Sequence, residues 1–495
     1  MGLNILMAAS EAVPFAKEGG LADVVGALPR ALAARGHDVR VVMPRYSRVD
    51  VERHSLKLLP GVLVVPMGII GTMYCGVYEG LLPGSGVPVY FLEHEQFYGR
   101  GGGLYEVDNE GYLDNDNRFI FLSKAALELC NMLDFRPDVV HAHDWHTAAI
   151  PVLLNTIYRT DPYAGKAASL LTVHNMQHQG TFYEGAMEVL GVGWEQFTFL
   201  GLEKDNQVNL LKGGLYHATM INTVSEGYAR EIQTPEYGWG LEGVVRERAA
   251  DLSGILNGVD YAEWSPETDP LIPASYTSED LGGKKICKRE LQQAMGLPER
   301  DDVPLIGMVS RLVKQKGIDV LAEAIPRILE LDLQFVMLGA GEPWAHFYFG
   351  DIQAAYPEKF RCVIGYDNTL AHRIEAGADF FLMPSAFEPC GLNQMYSLRY
   401  GTLPIVRATG GLDDSVENFD ERSLSGTGFK FQDLNAGALF DTVGWAVHTW
   451  YHRKDAMEEL IRNAMGRRFT WDASARGYEE LYAKAMVRRG RKAGI

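Results

Sequence analysis

The sequence predicts an α/β protein with two doubly wound domains. Apolar, β-branched runs alternate with helical patterns along most of the chain. The runs are continuously apolar, which is typical of parallel strands covered by helices on both faces. These βα units fall into two series, with no detectable sequence repeat between them. A chain of 495 residues is also too long for one ordinary core, so two large domains are expected.

The order of the elements follows from these patterns. The first series predicts strands at residues 4–9, 38–43, 87–92, 138–143, 168–173 and 220–224. A helix is predicted after the first strand, because apolar residues repeat there at the spacing of one helix face: Leu21, Val24, Val25, Leu28 and Leu32. The second series predicts strands at 305–310, 334–338, 361–364, 380–384 and 403–407. A last helical pattern, after a cap at Thr470 or Asp472, comprises Ala475, Tyr478, Leu481, Tyr482 and Ala485.

The border between the two series lies where glycine, asparagine and proline cluster, in LSGILNGVDYAEWSPETDP, residues 252–270. We therefore expect one domain at 1–251 and a second at 252–469, facing each other across a cleft. Ligands of doubly wound sheets bind beyond the carboxyl ends of the strands. Nearly every polar motif of this chain follows one of those ends.

The composition restricts the class of protein. Hydrophobic residues are 47% and charged residues 22%, as in ordinary globular proteins. The net charge of −18 argues against a nucleic-acid or membrane partner, although a local basic pocket is still compatible with a phosphate ligand. The five cysteines are scattered without a C-x-x-C pair, which favours free thiols in a reducing cytosol. Neither a signal peptide nor a bilayer-spanning stretch is recognisable, so a cytoplasmic protein is expected.

A lysine and two glycines occupy the first strand-to-helix turn, in FAKEGGLADVV, residues 15–25. Glycine lets a backbone approach a ligand closely, and the first amides of a helix favour an anion. Lys17 adds a point charge beside Gly19 and Gly20. An ordinary tight turn with a surface lysine explains the stretch equally well, since it matches neither common phosphate fingerprint.

Histidines lie at the ends of the fourth and fifth strands of the first series. VVHAHDWH contains His141, His143, Asp144 and His146, which could form a metal site or could bond to neighbouring loops. The second interpretation is favoured, because no second strand end supplies the carboxylates of a metallohydrolase. TVHNMQHQG places His174 where its imidazole could bond a substrate hydroxyl or hold the loop.

Two cations follow a buried strand of the second series, in VSRLVKQKG, residues 309–317. Taken alone, Arg311 and Lys316 would be solvated surface charges. Together with Lys17 on the other domain, they suggest that three cations bind one diphosphate.

Two further motifs of the second half are ambiguous by themselves. In VIGYDNTL, Tyr366 either stacks on a nucleobase or is a half-buried loop residue. In FLMPSAFEPCGLNQMYSLRYG, Glu388 precedes a helix predicted to begin near Gly391, and capping alone could explain that carboxylate.

Taken together, the motifs resemble the bacterial glycogen synthase and plant starch synthase family of retaining glycosyltransferases. Nearly the whole chain is covered, in family order, by KEGGLADVVGALP, DVVHAHDWH, TVHN, LNGVD, VSRLVKQKG, IGYD, PSAFEPCGLNQ and TGGLDDSV. The resemblance implies a GT-B fold of two Rossmann-like domains, with a C-terminal helix, residues 470–495, returning to the N-terminal domain. It implies glucose transfer from ADP-glucose to the 4-hydroxyl at the non-reducing end of an α-1,4-glucan, such as glycogen or a maltooligosaccharide, with retained configuration.

The same resemblance implies a role for individual residues. The expected catalytic group is Glu388, His174, Arg311 and Lys316. The expected donor-binding group is Lys17, Gly19, Gly20, Asp23, Asn257, Tyr366, Cys390, Gly391, Leu392 and Asn393. The expected acceptor side comprises Asp144 and, from GYLDNDNRF, Tyr112, Asn115 and Arg118.

One position departs from related retaining transferases, which often carry E-x7-E. The residue eight positions after Glu388 is Tyr396, so an obvious second carboxylate is missing. We therefore expect front-face attack assisted by the leaving phosphate, without a metal or another cofactor. The rival hypotheses are another nucleotide-sugar transferase, such as one making sucrose or a trehalose precursor, an inactive glucan-binding scaffold and a metal-dependent hydrolase.

Overall fold

The computed structural model describes residues 2–107 and 110–490. The chain divides into two compact units. The first is assigned Met1–Val224, Ala229–Gly258 and Trp471–Ile495, and the second Ser225–Tyr228 and Val259–Thr470. Residues 1, 108–109 and 491–495, which the expected domain boundaries include, lie outside the described residues.

All strands of the first unit precede residue 255. They are β1 (Asn4–Ala8), β2 (Asp38–Pro44), β3 (Lys57–Leu58), β4 (Leu63–Pro66), β5 (Thr72–Leu81), β6 (Pro88–Glu93), β7 (Glu106–Val107), β8 (Glu110–Gly111), β9 (Val139–His143), β10 (Ala168–Val173), β11 (Thr181–Phe182), β12 (Glu203–Lys204), β13 (Gln207–Asn209), β14 (Met220–Thr223) and β15 (Leu252–Gly254). The strands of the second unit are β16 (Leu305–Val309), β17 (Gln334–Gly339), β18 (Phe360–Ile364), β19 (Phe380–Met383), β20 (Leu403–Arg407) and β21 (Phe429–Phe431). Each strand expected from the sequence is present, with ends that differ by at most one residue.

The helices follow the strands in βα order. Up to β15 they are α1 (Gly20–Ala34), α2 (Glu95–Tyr98), α3 (Asn115–Met132), α4 (Asp144–Thr147), α5 (Ala149–Asn155), α6 (Ala186–Leu190), α7 (Leu210–His217), α8 (Glu226–Glu231), α9 (Pro235–Gly238) and α10 (Glu242–Glu247). After β15 they are α11 (Gly282–Ala294), α12 (Ile318–Ile328), α13 (Pro343–Ala355), α14 (Asn368–Gly377), α15 (Asn393–Arg399), α16 (Gly410–Ser415), α17 (Ala436–His452), α18 (Lys454–Gly466) and α19 (Trp471–Arg488). None of the described helices is long and apolar enough to cross a membrane.

The main sheet of the first unit is parallel from β6 to β15, in the spatial order β6-β2-β1-β9-β10-β14-β15. In register, Ile5 of the central strand β1 lies opposite Val39 on one side and Val139 on the other. The strand order reverses between β1 and β9, which is the switch point where doubly wound sheets bind ligands. The expected doubly wound architecture is confirmed.

An antiparallel extension, β3 to β5, continues this sheet beyond β6. In β4, Leu63 and Val65 are buried while Val64 and Pro66 are exposed. This alternation is the signature of an antiparallel strand with one solvated face. The sequence analysis looked for continuously apolar runs and did not find this segment.

The C-terminal helix α19 packs on the sheet of the first unit, as expected. The Tyr482 hydroxyl lies 2.9 Å from Nδ1 of His141, and Asn222 donates to the Tyr478 hydroxyl over 2.9 Å. At the helix surface, Arg35 pairs with Glu479 at 2.8 Å. Since all four of the buried side chains in these two bonds lie in the core of the unit, α19 is an integral part of its fold.

The second unit contains a six-stranded parallel sheet in the order β18-β17-β16-β19-β20-β21. Its core is formed by apolar side chains from the strands and from one face of the covering helices, including Leu321, Ile325, Phe335, Phe380 and Leu439. The order again reverses at the centre, between β16 and β19. The loops after these two strands therefore define the second switch point.

Candidate functional site

The turn after β1 carries Lys17 and the two glycines at the first switch point. The Lys17 ammonium pairs with the Asp23 carboxylate at 2.7 Å, and about half of the Lys17 side chain is exposed. The amide of Gly19 donates to the buried Glu11 carboxyl over 3.3 Å, and the amide of Glu18 donates to the same oxygen. Two amides just before α1 are thus bound within the protein.

Internal packing does not explain why residue 20 is a glycine. Its φ is not positive, and no atom of the described chain lies within 4 Å of a Cβ built on it. A Cβ on Gly19 would make only an ordinary contact, 3.6 Å from Glu11. The glycines therefore leave an open backbone at the start of α1, which is the arrangement that close approach of an anion requires.

The histidines of β9 and of the loop after β10 contact neighbouring side chains. Buried His146, in α4, has no hydrogen-bond partner on either ring nitrogen in the described part of the chain. His141 contacts the Tyr482 hydroxyl and, at 2.7 Å, Oγ1 of Thr172. Nδ1 of His143 lies 3.0 Å from Nε2 of His174. Burial lowers the pKa of His174 to about 3, and it lowers the pKa of His141, with a further contribution from the His174 charge. These imidazoles are neutral at physiological pH.

No group of three or more His, Cys, Asp or Glu side chains within residues 2–107 and 110–490 is arranged to hold a metal ion. The sequence favoured histidines bonded to neighbouring loops. His143 does contact His174 in the loop after β10, whereas His141 bonds to strand β10 and helix α19.

Asp144 links the two histidine loops. Its carboxylate accepts a hydrogen bond of 2.6 Å from the amide of His174. Burial raises the pKa of Asp144 to about 7, against the opposing effect of amide hydrogen bonds from His174 and Asn175. Asp144 also has a φ of 55°, a left-handed conformation that is uncommon for a residue other than glycine. Such a conformation, held next to a switch point, is typical of a functional site.

A cavity of about 470 Å³ opens beside these loops in the first unit. Its walls combine aromatic rings with side-chain amides: Asn115, Trp145, Gln177, His178, Gln179, Gly180, Thr181, Phe182 and Trp239. Aromatic faces with adaptable donors and acceptors suit a sugar, whose ring presents apolar C–H faces and hydroxyl edges. The sequence analysis missed Trp145, Gln177, Gln179 and Trp239. The first three lie within the quoted histidine motifs, but no local signal connects Trp239 with them.

The three residues expected from GYLDNDNRF hold a loop in place. Arg118 is 1% exposed, and it donates to Phe97 O over 2.8 Å and to Leu104 O over 2.9 Å. The Arg118 guanidinium also donates to Oδ1 of Asn115. The Tyr112 hydroxyl donates to Gly101 O over 2.8 Å. Among these three, only Asn115 also lines the cavity.

In the second unit, the loops after β16 and β19 bring Lys316 and Glu388 together. The Lys316 ammonium lies 2.5 Å from the Glu388 carboxylate, which also accepts a hydrogen bond from Ser385 over 3.1 Å. Glu388 is 6% exposed. Arg311, on the same loop as Lys316, donates to Gln315 over 3.2 Å. The second switch point therefore carries an ion pair of Lys316 with one buried carboxylate, and Arg311 lies on the same loop as Lys316.

Gly317 makes this approach of the two loops feasible. Its φ is +71°, and a Cβ at this position would lie 2.0 Å from the carbonyl oxygen of Pro384. Only glycine combines a left-handed backbone with such a close contact. Gly317 therefore sets the distance between the loop with Lys316 and the loop with Glu388.

The segment from Cys390 to Asn393 forms a tight loop before α15. This helix begins at Asn393, two residues later than expected, and Leu392 at its cap position makes no side-chain hydrogen bond. The Glu388 carboxylate bonds to Lys316 and Ser385, so capping of α15 does not explain it. Asn393 donates to Val309 O over 2.8 Å, which ties the loop to β16.

Glycine at position 411 brings the start of α16 onto the same loop. Its amide donates to Glu388 O over 3.0 Å, and a Cβ there would lie 2.1 Å from Cys390 O. The motif TGGLDDSV thus supports the backbone that follows Glu388.

Tyr366 and Asn257 lie in different units. The Tyr366 ring follows β18 and is 81% exposed, with its hydroxyl donating to Asn368 over 3.0 Å. Asn257 follows β15 and is 6% exposed, and its Oδ1 has no hydrogen-bond partner in the described part of the chain.

Tyr396 occupies the position where related retaining transferases often carry a second glutamate, and its side chain belongs to an aromatic stack. Its ring is parallel to that of Trp264 at 3.9 Å, and Trp264 stacks on His372 at 3.8 Å. His372 in turn bonds to Asp269 at 2.7 Å. The position therefore has a packing role in this chain.

Comparison with protein families gives two matches. The starch synthase catalytic domain family matches residues 4–247, and the family of glycosyl transferases group 1 matches residues 291–465. Among curated proteins, the chain is 76% identical to glycogen synthase 1 of Geobacter metallireducens, covering 98% of this chain and 97% of the relative. It is 45% identical to glycogen synthase of Treponema denticola, covering 98% of this chain and 99% of the relative.

Solved structures show the same likeness. The catalytic domain of starch synthase IV from Arabidopsis thaliana, bound to ADP and acarbose, superposes with a TM-score of 0.89 at 34% identity, covering 98% of this chain and 100% of that one. Sucrose-phosphate synthase from Thermosynechococcus elongatus gives a TM-score of 0.57 at 17% identity, covering 98% of this chain and 100% of that one. At that identity only the fold is shared.

Proposed function

The chain belongs to the bacterial glycogen synthase and plant starch synthase family of GT-B glycosyltransferases, and from this premise we propose that it transfers glucose from ADP-glucose to an α-1,4-glucan. Glycogen or a maltooligosaccharide would accept the glucose at the 4-hydroxyl of its non-reducing end, with retained configuration. The observation that carries the proposal is the grouping of Arg311, Lys316 and Glu388 at a switch point.

Cations and open backbone would bind the donor diphosphate. Lys17, Gly19 and Gly20 contribute from the first unit, where Asp23 holds the Lys17 side chain. Arg311 and Lys316 contribute from the second and stabilise the departing ADP. The exposed ring of Tyr366 would stack on adenine, and Asn257, with an unused carbonyl oxygen, would lie beside the donor.

Glu388 would act on the sugar. In this structure it neutralises Lys316. Once the donor diphosphate pairs with the Lys316 ammonium, the Glu388 carboxylate can face the positive charge that develops at the anomeric carbon. The backbone of Cys390, Gly391, Leu392 and Asn393 would bind glucose hydroxyls.

The reaction would then proceed at one face of the sugar. The acceptor hydroxyl forms the new bond to the anomeric carbon on the side from which the diphosphate leaves. Its proton passes to a phosphate oxygen of the departing ADP. Configuration is retained without a covalent glucosyl-enzyme, which agrees with an aromatic stack in place of a second carboxylate.

The acceptor would bind in the cavity of the first unit. Its aromatic rings and amides would hold glucose units, with Asp144 and the neutral imidazole of His174 bonding hydroxyls. Tyr112, Asn115 and Arg118 would fix the adjoining loop rather than contact the glucan through a free guanidinium.

Membership of this family also supports a role for each domain, a location in the cell and a set of partners. Residues 1–251 with 470–495 would be the acceptor domain, and residues 252–469 the nucleotide-sugar-binding domain. The enzyme would act in the cytoplasm, without a metal or another cofactor. Its partners would be a small-molecule donor and a neutral glucan. A nucleic-acid or membrane partner is not proposed, because the net charge of −18 would repel such anionic surfaces.

Glucose incorporation into glycogen, measured in parallel with ADP-glucose and UDP-glucose, tests the proposal. We expect a much higher kcat/KM with ADP-glucose. Equal or better use of UDP-glucose would overturn the donor assignment, and no incorporation from either donor would overturn the function.

A further inference from the structure

Glu11 is a buried carboxyl that the proposed reaction does not yet use. It follows β1 at the first switch point and is 3% exposed. One of its oxygens accepts hydrogen bonds from the amides of Glu18 and Gly19. These amides belong to the turn that carries Lys17, so one side chain holds two consecutive amides of that turn.

The surroundings of Glu11 contain few charges that could stabilise a carboxylate. Asp144, beyond β9, and Glu18, on the turn, are acidic, and both raise the pKa of Glu11. Tyr46, after β2, and Tyr105, which bonds Ser10 at 2.7 Å, are the other titratable groups that interact with it. Burial is the largest effect, and it raises the pKa of Glu11 to about 8, against the opposing amide hydrogen bonds.

We propose that Glu11 is a positioning residue for the donor: its carboxyl clamps the amides of Glu18 and Gly19 and so presents Lys17 and the open backbone of Gly20 to the diphosphate. The inference rests on the proposed function. Glu11 lies outside the motifs that were recognisable in the sequence.

Neutrality matters because the turn must attract an anion. A protonated carboxyl accepts the two amide hydrogen bonds without placing a negative charge beneath the phosphate site. When pH rises through the pKa of Glu11, the carboxyl ionises and repels the diphosphate. Asp144, with a pKa of about 7, has largely ionised before that point, and burial raises the pKa values of Tyr46 and Tyr105, so neither tyrosine ionises in the same range.

The test compares ADP binding by calorimetry at about pH 7.5 and about pH 9.5, on either side of the Glu11 pKa. We expect the wild-type protein to lose roughly fivefold in ADP affinity across this range, the size of a screened repulsion between two charges. Glu11→Gln keeps an acceptor for both amides but cannot ionise, so its affinity should be independent of pH. Glu18→Gln is the matched control: it removes an exposed carboxylate from the same turn but leaves Glu11 able to ionise, so its ADP affinity should still fall as the pH rises.

Glu11→Ala removes the clamp itself. It should weaken ADP binding by roughly tenfold at both pH values and raise the KM for ADP-glucose more than it lowers kcat, since the turn binds donor before and during the reaction. If this variant does not fold, Glu11→Gln still decides the question.

Each outcome supports or overturns the inference. A purely structural Glu11 predicts a lowered Tm for Glu11→Gln with the wild-type dependence of ADP affinity on pH, and that result would overturn it. A wild-type protein that binds no ADP at any pH would instead contradict the proposed function, so the two failures are distinguishable.

Discussion

Glu388 shows how one side chain can have a role that its neighbours in sequence do not reveal. Its position before a helix is compatible with simple capping, yet the carboxylate bonds to Lys316 and Ser385. A buried carboxylate held against a cation keeps its charge in a place where water cannot screen it. We therefore regard it as the group with the greatest effect on the transition state.

Replacing Glu388 with glutamine tests this role. Glu388→Gln keeps the size and one acceptor but removes the charge. We expect kcat to fall by roughly 10²-fold or more, the scale of losing a preorganised electrostatic group, while ADP affinity changes little. Steady-state kinetics, ADP titration and a melting curve on the same protein give the three quantities.

The matched control is Ser385→Ala, which removes one hydrogen bond from Glu388 but leaves its charge. It should lower kcat far less than Glu388→Gln does. Near-normal kcat with a lowered Tm in Glu388→Gln would remove Glu388 from the catalytic group.

At the scale of elements, the two loops of the second switch point depend on one glycine. The contact between Gly317 and Pro384 sets how closely the end of β16 approaches the end of β19. The motif VSRLVKQKG predicted cations here, and it gave no role to the glycine at its end. The reason for the glycine is a contact with a residue 67 positions later, which no local pattern can show.

Gly317→Ala should therefore affect stability and donor binding together. The left-handed backbone alone costs an alanine about 1–3 kcal/mol, and relief of the contact with Pro384 must move Lys316 away from Glu388. We expect a lower melting temperature and a raised KM for ADP-glucose.

Gly350→Ala is the control for this substitution. Gly350 lies inside α13, and no described atom is within 4 Å of a Cβ built there. Alanine at this helical position should stabilise the protein by about 1 kcal/mol without changing the KM. Equal behaviour of the two variants would show that the Gly317 contact is unimportant.

At the scale of the whole molecule, the protein is acidic, yet the cationic side chains of the candidate site lie where the anionic donor is proposed to bind. The net charge is −18, yet Lys17, Arg311 and Lys316 each follow a central strand of a parallel sheet. Cationic side chains at these positions can neutralise a diphosphate themselves.

Removal of divalent ions tests that assignment. We expect turnover to survive dialysis against EDTA at the rate of an untreated sample, because side chains hold the diphosphate. Loss of turnover that added magnesium or manganese restores would show that the cations alone are insufficient.

The sequence by itself determined the order of the elements and the positions of most candidate residues. Every predicted strand is present, since continuously apolar runs report burial on both faces. Lys17, His174, Arg311, Lys316 and Glu388 all follow predicted strands, because a strand end and its turn are local features. The antiparallel extension was missed because its alternating pattern differs from the one that was sought.

Only the tertiary structure decided how these residues are paired and charged. The pKa of Glu11 depends on burial and on Asp144, which is distant in sequence, and the low pKa of His174 depends on the packed interior around it. Arg118 likewise became a structural residue, because its guanidinium donates to the carbonyl oxygens of Phe97 and Leu104 and to Asn115 of its own helix. Charge state and hydrogen-bond partners arise from desolvation and contacts between distant segments, and such effects exist only once the chain is folded.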